Sequence, residues 1–473
     1  MLFNSFAFFV FLPVMFVLYW FVFNKSLKVQ NILVLLASYF FYGWFDWRFV
    51  SLLILSTLID YFFGLWVHTC NERRKKTYLY LSIFNNLIIL AIFKYYNFFV
   101  NEAATFFSHT GFNVHPYLIN VALPLGISFY TFHGMSYVID IYRGQFKPTK
   151  NFVDYAMFVC FFPLLVAGPI ERASHLVPQV QKPRTFNYQQ SVQGLRLMLW
   201  GFFKKIVIAD NLAPIVDDVY KNYHFYNGAT IMLGAVYFSF QIYCDFSGYS
   251  DIALGTAKLF GFELLSNFKF PYFSRNIAEF WRRWHISLSS WFRDYLYIPL
   301  GGARVSRPKV IRNTFVIFLV SGFWHGANWT FIIWGLIHAL LFIPLLLSNK
   351  NRQFSTGVVA ENSAFPNFRE IAGMLTTFLF VTLAWVFFRA PNLNVAIEFI
   401  KQMGHNLNQL PKLRSFFPIY CLPLLLIDWN FRKDERALAF PKNKLIRYSV
   451  YIIMFFVLVY YSNDNSSFIY FQF

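Results

Sequence analysis

SGFWHGANWTFIIWGLIHALLF, residues 321–342, contains no Lys, Arg, Asp or Glu. A helix needs roughly 20 apolar residues to cross a bilayer, and this stretch meets that length. Two titratable groups interrupt it, His325 and His338. A polar side chain in lipid costs several kcal/mol unless it is paired or faces a cavity, so an intramembrane histidine is a functional candidate. Gly322 and Gly326 thin the helix surface beside His325, and Trp324 and Trp329 supply bulky walls. Small residues there permit close approach of a substrate or of another helix. The plainer alternative is a histidine that only hydrogen-bonds a neighbouring helix. Read as one apolar run over 314–347, the stretch puts His338 thirteen residues beyond His325. At 3.6 residues per turn they lie ~140° apart on the helix, on different faces. His338, flanked by Leu336, Ile337, Ala339 and Leu340, reads as structural.

Outward from this stretch the same character holds. Of 473 residues 57% are apolar, 22% aromatic and 13% charged, about half the charge of a soluble domain. Phenylalanine alone occurs 64 times, more than one globular core can bury. Apolar runs recur near 6–23, 30–45, 49–68, 78–100, 120–141, 152–168, 190–215, 229–256, 371–389, 415–428 and 447–461. With 314–347 they predict an all-α integral membrane protein of about 11–13 membrane segments, some re-entrant. The first run, without a cationic flank or cleavage site, reads as a retained helix. No polar stretch is long enough for a soluble module, so residues 1–473 are expected to form a single integral-membrane domain.

The formal charge of +19 does not point to nucleic acid, because its cations collect in short loops between apolar runs. Lys25 and Lys28, then Arg73 to Lys76, then Arg143, Lys147 and Lys150 occupy alternate loops, whereas Arg48 stands alone in the second. The positive-inside rule then puts the N-terminus outside the cytoplasm. Four scattered cysteines suggest neither a disulfide framework nor a zinc site, and no metal is expected.

The longest polar interruption, 269–313, holds nine cations and is expected at the cytoplasmic interface. In it Trp281, Trp284, His285, Leu288 and Phe292 recur at helical spacing, with Arg282, Arg283 and Ser287 on another face. This pattern predicts one amphipathic helix on the membrane surface, ended by Pro299, Gly301 and Gly302. Asp245, Ser247, Ser250 and Asp251 interrupt the run 230–262. Such acids either contact substrate or pair with Lys or Arg of nearby helices. Pro124 and Gly126 ahead of His133 and Asp140, and Pro163, Gly168 and Pro169 ahead of Glu171 and Arg172, suggest broken helices packed around a central void.

LPLGISFYTFHGMSYVIDIYRG, FFPLLVAGPIER, YCDFSGYSDIALGTAKLFGFELLSNFKFPY, FWRRWHISLSSWFRDYLYIPLGG, SGFWHGANWTFIIWGLIHAL and AWVFFRA span about 121–390, and FIYFQF ends the chain. In these motifs the sequence resembles the membrane-bound O-acyltransferase family, most closely its bacterial alginate O-acetyltransferase branch. The resemblance implies a ring of helices around a thin central funnel and a bacterial inner-membrane location. It assigns the WHG histidine, His325, as the catalytic residue, with His285 of WRRWH as the second. Trp324, Asn328, Asp245, Ser247 and Asp251 are the expected substrate-binding residues. Leu164 stands where the family's FFPQL has glutamine, which puts only a local polar contact in question.

The implied chemistry is transfer of an acyl group, expected to be acetyl, from a cytoplasmic thioester such as acetyl-CoA to a hydroxyl of an exported polysaccharide or of a periplasmic SGNH-type partner. No permanently bound cofactor is implied. His325 acts as general base, and His285 orients the donor or stabilises the intermediate. The basic stretch Arg275–Arg312 suits coenzyme A phosphates, although the positive-inside rule accounts for the same charges. Two other readings stand beside this one: a D-alanyl transferase for teichoic acid with a carrier-protein donor, and a transporter of polysaccharide or lipid intermediates, which needs no WHG histidine.

Overall fold

The computed structural model describes residues 1–112, 115–119, 122–166, 168–413, 417–436 and 443–462. The terminal FIYFQF, Ala167 of FFPLLVAGPIER and the first residues of the runs expected from 120 and 415 lie outside them. Among the described residues every regular element is a helix. Two compact units result, residues 1–191 with 256–265 and residues 192–255 with 266–473.

In the first unit α1 (Phe6–Val17), α2 (Leu27–Gly43), α3 (Arg48–Thr69), α4 (Glu72–Leu90), α5 (Tyr96–His109) and α6 (Ile127–Tyr142) are followed by three short helices, α7 (Phe152–Cys160), α8 (Phe162–Leu165) and α9 (Ala173–Val180). Helix α3 packs on α4 and α6 through polar groups. Asp60 of α3, buried, accepts hydrogen bonds from Ser82 Oγ at 2.9 Å and Asn86 Nδ2 at 2.8 Å, both on α4. Gly134 of α6 makes room for this carboxylate, since a Cβ there would meet its Oδ2. The two Pro/Gly segments meet closely. Gly126, at φ +67°, caps α6 where a Cβ would clash with the Leu165 carbonyl, and His133 Nε2 accepts the Glu171 amide at 3.0 Å. Glu171 accepts from the Leu265 amide at 2.6 Å and pairs with His175 at 2.7 Å. Leu164, in the family's glutamine position, is fully buried among apolar neighbours of this unit.

The chain then passes through α10 (Tyr188–Phe202), whose last turns, Val192 onward, belong to the second unit together with α11 (Asp210–Lys221) and α12 (Gly228–Leu259) as far as Gly255. α13 (Ile277–Arg283), α14 (Ile286–Phe292), α15 (Arg307–His325), α16 (Trp329–Leu347), α17 (Phe368–Arg389), α18 (Leu393–Met403), α19 (Phe417–Phe431) and α20 (Lys444–Tyr461) complete it. Glycines set the close contacts here. A Cβ on Gly201 of α10 would lie 2.6 Å from the Gly248 carbonyl, and one on Gly248 would lie 2.7 Å from that of Gly201. Likewise a Cβ on Gly322 would lie 2.3 Å from the Phe331 carbonyl, and one on Gly335 2.3 Å from that of Phe318, so α15 and α16 touch backbone to backbone.

Among the described residues six helices are long and apolar enough to cross a membrane: Arg48–Thr69, Glu72–His109, Gly228–Leu259, Trp329–Leu347, Phe368–Arg389 and Lys444–Tyr461. At 1.5 Å per residue, 22 residues span about 33 Å, the thickness of the hydrocarbon core. Large apolar side chains such as Phe6, Leu36, Phe84, Leu375 and Phe456 are exposed, as lipid-facing residues are. This is an integral membrane protein.

Two expectations about helices need correction. Residues 314–347 do not form one helix: α15 ends at His325, Gly326 turns in extended geometry, and Asn328 caps α16 by accepting the Thr330 amide at 3.0 Å. The amphipathic helix over 281–292 is also broken, at Trp284 and His285, into α13 and α14. Of its expected polar face, Arg283 and Ser287 are buried and only Arg282 stays half-buried.

Candidate active site

His325 sits at the last residue of α15, its ring enclosed edge-to-face by Trp324 at 4.9 Å, Trp334 at 5.1 Å and Phe388 at 5.2 Å. Trp334 comes from α16 and Phe388 from α17, so three helices converge on this imidazole. Local sequence explains why it lies at an end. Glycine follows the histidine and an Asn-x-Thr cap restarts the chain, so the imidazole stands at a break between two apolar helices.

His285 occupies the break between α13 and α14 in the left-handed conformation, φ +42° and ψ +54°. Non-glycine residues rarely adopt this region, and residues held in sparsely populated backbone regions cluster at functional sites. Its ring lies 4.7 Å from Phe246 and 6.0 Å from Trp324, edge-to-face with both. Trp324 therefore touches both histidines. Burial holds the His285 imidazole at about 3, far below its ordinary value, so the ring is neutral.

The break at His325 also changes the position of His338. The two histidines are on different helices, so the angular separation expected along one helix does not apply. Trp334 packs against both, 5.1 Å from His325 and 4.8 Å from His338. His338 Nδ1 accepts from Trp281 Nε1 at 3.3 Å and lies 6.2 Å from the Phe280 ring, a packing role in keeping with its apolar neighbours.

The acids of DFSGYSD face lysines. Lys204 Nζ lies 2.7 Å from Asp251 and 2.9 Å from Ser247 Oγ; Lys205 Nζ lies 2.7 Å from both Asp245 and Asp210. A π-helical stretch, Phe203–Ala209, carries both lysines inward. Sequence reading missed these lysines, although two adjacent cations in the apolar run GFFKKIVIAD were a readable cost. Asn328, besides capping α16, donates to the Pro391 carbonyl at 2.9 Å. Thus Trp324 joins the two histidines, whereas Asp245, Ser247, Asp251 and Asn328 hold helices together.

A cavity of about 590 Å³ opens beside this centre. Its apolar wall includes Trp281, Phe318 and Phe342, and it reaches Ser321, one turn before His325, and Ile286, directly after His285. Lys269, Arg282, Arg293 and Arg352 also line it. Of these, Lys269 pairs with Glu435 at 3.1 Å and Arg293 with Asp294 at 2.7 Å, and two further cations of 269–313 are engaged elsewhere. Arg275 and Arg283 both bond the buried Glu279, and Arg275 also reaches Glu370 at 3.0 Å. A smaller polar cavity of about 370 Å³ shares Lys269, Arg282 and Ser355 with the first and adds Arg283, Arg432 and Lys433.

The family model described as MBOAT, membrane-bound O-acyltransferase family, matches residues 32–386. Among curated relatives, a "Probable alginate O-acetylase AlgI" of Pseudomonas putida is 42% identical over 84% of this chain and 79% of its own length. A "Peptidoglycan O-acetyltransferase" of Helicobacter pylori is 38% identical over 88% of this chain and 83% of its own. A "Teichoic acid D-alanyltransferase" of Bacillus subtilis is 31% identical over 51% of this chain and 63% of its own. A match over most of the chain, together with a WHG histidine buried at a helix break, makes this protein an acyl-transferring enzyme of the membrane-bound O-acyltransferase family.

Proposed function

We propose that the protein moves an acetyl group from a cytoplasmic thioester, such as acetyl-CoA, to a hydroxyl of an exported polysaccharide or of a periplasmic SGNH-type partner, with His325 and His285 as the catalytic pair. The observation that carries this reading is the placement of both imidazoles against one indole, Trp324, beside a cavity lined by both cationic and apolar side chains. A thioester donor with a phosphorylated head and an apolar arm matches that mixed lining. Phosphates suit Lys269, Arg282, Arg293 and Arg352, and the acyl arm suits the wall formed by Trp281 and Phe318.

The chemistry follows from the groups present. His325 removes the hydroxyl proton as the oxygen attacks the thioester carbonyl, forming the new C–O bond. The neutral His285 imidazole donates N–H to the oxyanion of the tetrahedral intermediate. Collapse breaks the C–S bond, and the leaving thiolate takes the proton from His325. Trp324 holds the two rings in register and excludes water. Asp245, Ser247 and Asp251 serve binding indirectly, by fixing Lys204 and Lys205, and Asn328 by fixing the outer end of the His325 break. The bacterial inner membrane is the setting that suits this donor and acceptor, and the loop charges favour an N-terminus outside the cytoplasm.

The test is acyl transfer from radiolabelled acetyl-CoA by purified protein in detergent, with the hydroxyl acceptor in excess. His325→Ala should lower kcat by about 10²–10⁴, the usual worth of a general base. Undiminished turnover would sink the assignment. A D-alanyl transfer reading is favoured instead if a carrier protein bearing the acyl thioester co-purifies and acetyl-CoA gives no transfer; the Bacillus subtilis relative is the observation behind it.

A further inference from the structure

The left-handed backbone of His285 needs something to hold it, and a polar anchor for it lies eighteen residues earlier in the chain. Asn267 makes three hydrogen bonds around this turn. Its carbonyl accepts the Ile286 amide at 2.9 Å, its Oδ1 accepts from Ser287 Oγ at 2.6 Å, and its Nδ2 donates to Ser250 Oγ at 2.9 Å. One turn of backbone pairing is added by the Lys269 amide, which donates to the Arg283 carbonyl at 3.0 Å. All of Ser250, Asn267, His285 and Ser287 are at most 2% exposed.

The anchor and the imidazole are referred to the same helix face. Ser250 and Phe246, four residues apart on α12, project together. Ser250 grips Asn267, and Phe246 meets the His285 ring at 4.7 Å. Phe268, next to Asn267, fills the space between them, 4.9 Å from Phe246 and 5.0 Å from Trp284. Asn267 thus fixes the amide and hydroxyl that immediately follow His285, while α12 fixes the ring itself.

We propose that Asn267 is a positioning residue of the transfer reaction: by bridging Ser250 to Ser287 and Ile286 it sets the His285 imidazole against Trp324 at the distance the oxyanion requires. This rests on the role given to His285 above. Asn267 touches neither substrate nor reacting atoms, and its effect reaches the chemistry through the His285 backbone. A donor misplaced by an ångström loses transition-state stabilisation while the ground-state complex is kept, so the loss belongs in kcat.

The experiment compares Asn267→Ala, Ser287→Ala and Ser287→Thr, each alone and with His285→Ala, in the labelled acetyl-CoA assay with purified full-length protein. Asn267→Ala and Ser287→Ala should lower kcat roughly 10-fold or more with the donor KM within about twofold, and Ser287→Thr, which keeps the hydroxyl, should retain most of the activity. In the His285→Ala background the same changes should have little further effect, because the group they position is gone. Should Asn267→Ala not fold, the Ser287 pair carries the same comparison. Unchanged kcat in folded Ser287→Ala, an equal loss in Ser287→Thr, or losses that multiply fully with His285→Ala would overturn the proposal. His285→Ala with full activity would instead overturn the role of His285, a separately readable outcome.

Discussion

In the second unit the buried lysines Lys204 and Lys205 each meet carboxylates. Lys205, 1% exposed in its side chain, serves two carboxylates, Asp210 and Asp245. Removing one partner of a buried pair leaves an uncompensated charge, at a cost of about 3–5 kcal/mol. Lys205→Met is therefore expected to lower the thermal unfolding midpoint of the detergent-solubilised protein sharply, with reduced yield. Asp245→Asn should be milder, since Lys205 keeps Asp210. A loss of turnover in Asp245→Asn with an unshifted midpoint would place Asp245 at substrate rather than in the support. Trp324 is the opposite case. Trp324→Ala opens the wall shared by His285 and His325, and kcat should fall by at least 10-fold while the unfolding midpoint changes less than in Lys205→Met.

At the scale of elements, both histidines proposed as catalytic stand at helix breaks, and these breaks differ in how far the sequence reveals them. The break after His325 has local signals, Gly326 followed by Asn328 two residues ahead of Thr330, which is an N-cap pattern inside an apolar run. Reading 314–347 as one helix gave apolar periodicity more weight than those caps. The break at His285 has no local signal, because the partners that stabilise it are Asn267 and, through it, Ser250, distant in sequence. Helical spacing over Trp281–Phe292 holds equally well for two short helices joined by one left-handed residue. The WHG and WRRWH histidines were legible from motif, and lipid-facing runs from composition. The lysines opposite Asp245 and Asp251 were missed because their partners lie on another helix. The α15–α16 contact gives a direct test. Gly322→Val places a side chain where even a Cβ would come 2.3 Å from the Phe331 carbonyl. The hairpin must part, so both activity and unfolding midpoint should fall, whereas Ala327→Val, in the loop after His325 and outside that contact, should leave the midpoint within a few degrees.

For the whole molecule, the decisive quantity is which side of the membrane each loop occupies, because the proposed donor is cytoplasmic and the proposed acceptor is not. Cations of the early loops alternate, and only one crossing helix, Arg48–Thr69, separates Trp47 from Arg74. The positive-inside rule assigns Arg74 to the cytoplasm and Trp47 to the outside; it assigns the loop after α16, with Lys350 and Arg352, to the cytoplasm as well. Ser355, in that loop, lines both cavities. In a background with Cys70 replaced by serine, Trp47→Cys should react with a membrane-impermeant maleimide in intact spheroplasts. Arg74→Cys and Ser355→Cys should react only after permeabilisation. Labelling of Ser355→Cys from outside would put the cationic cavity on the wrong side for a cytoplasmic thioester, and the donor assignment would fall even if His325 remained essential. Labelling in the expected pattern ties the cavity to the cytoplasm, consistent with the break at His325 as the proposed meeting point of acyl group and exported hydroxyl.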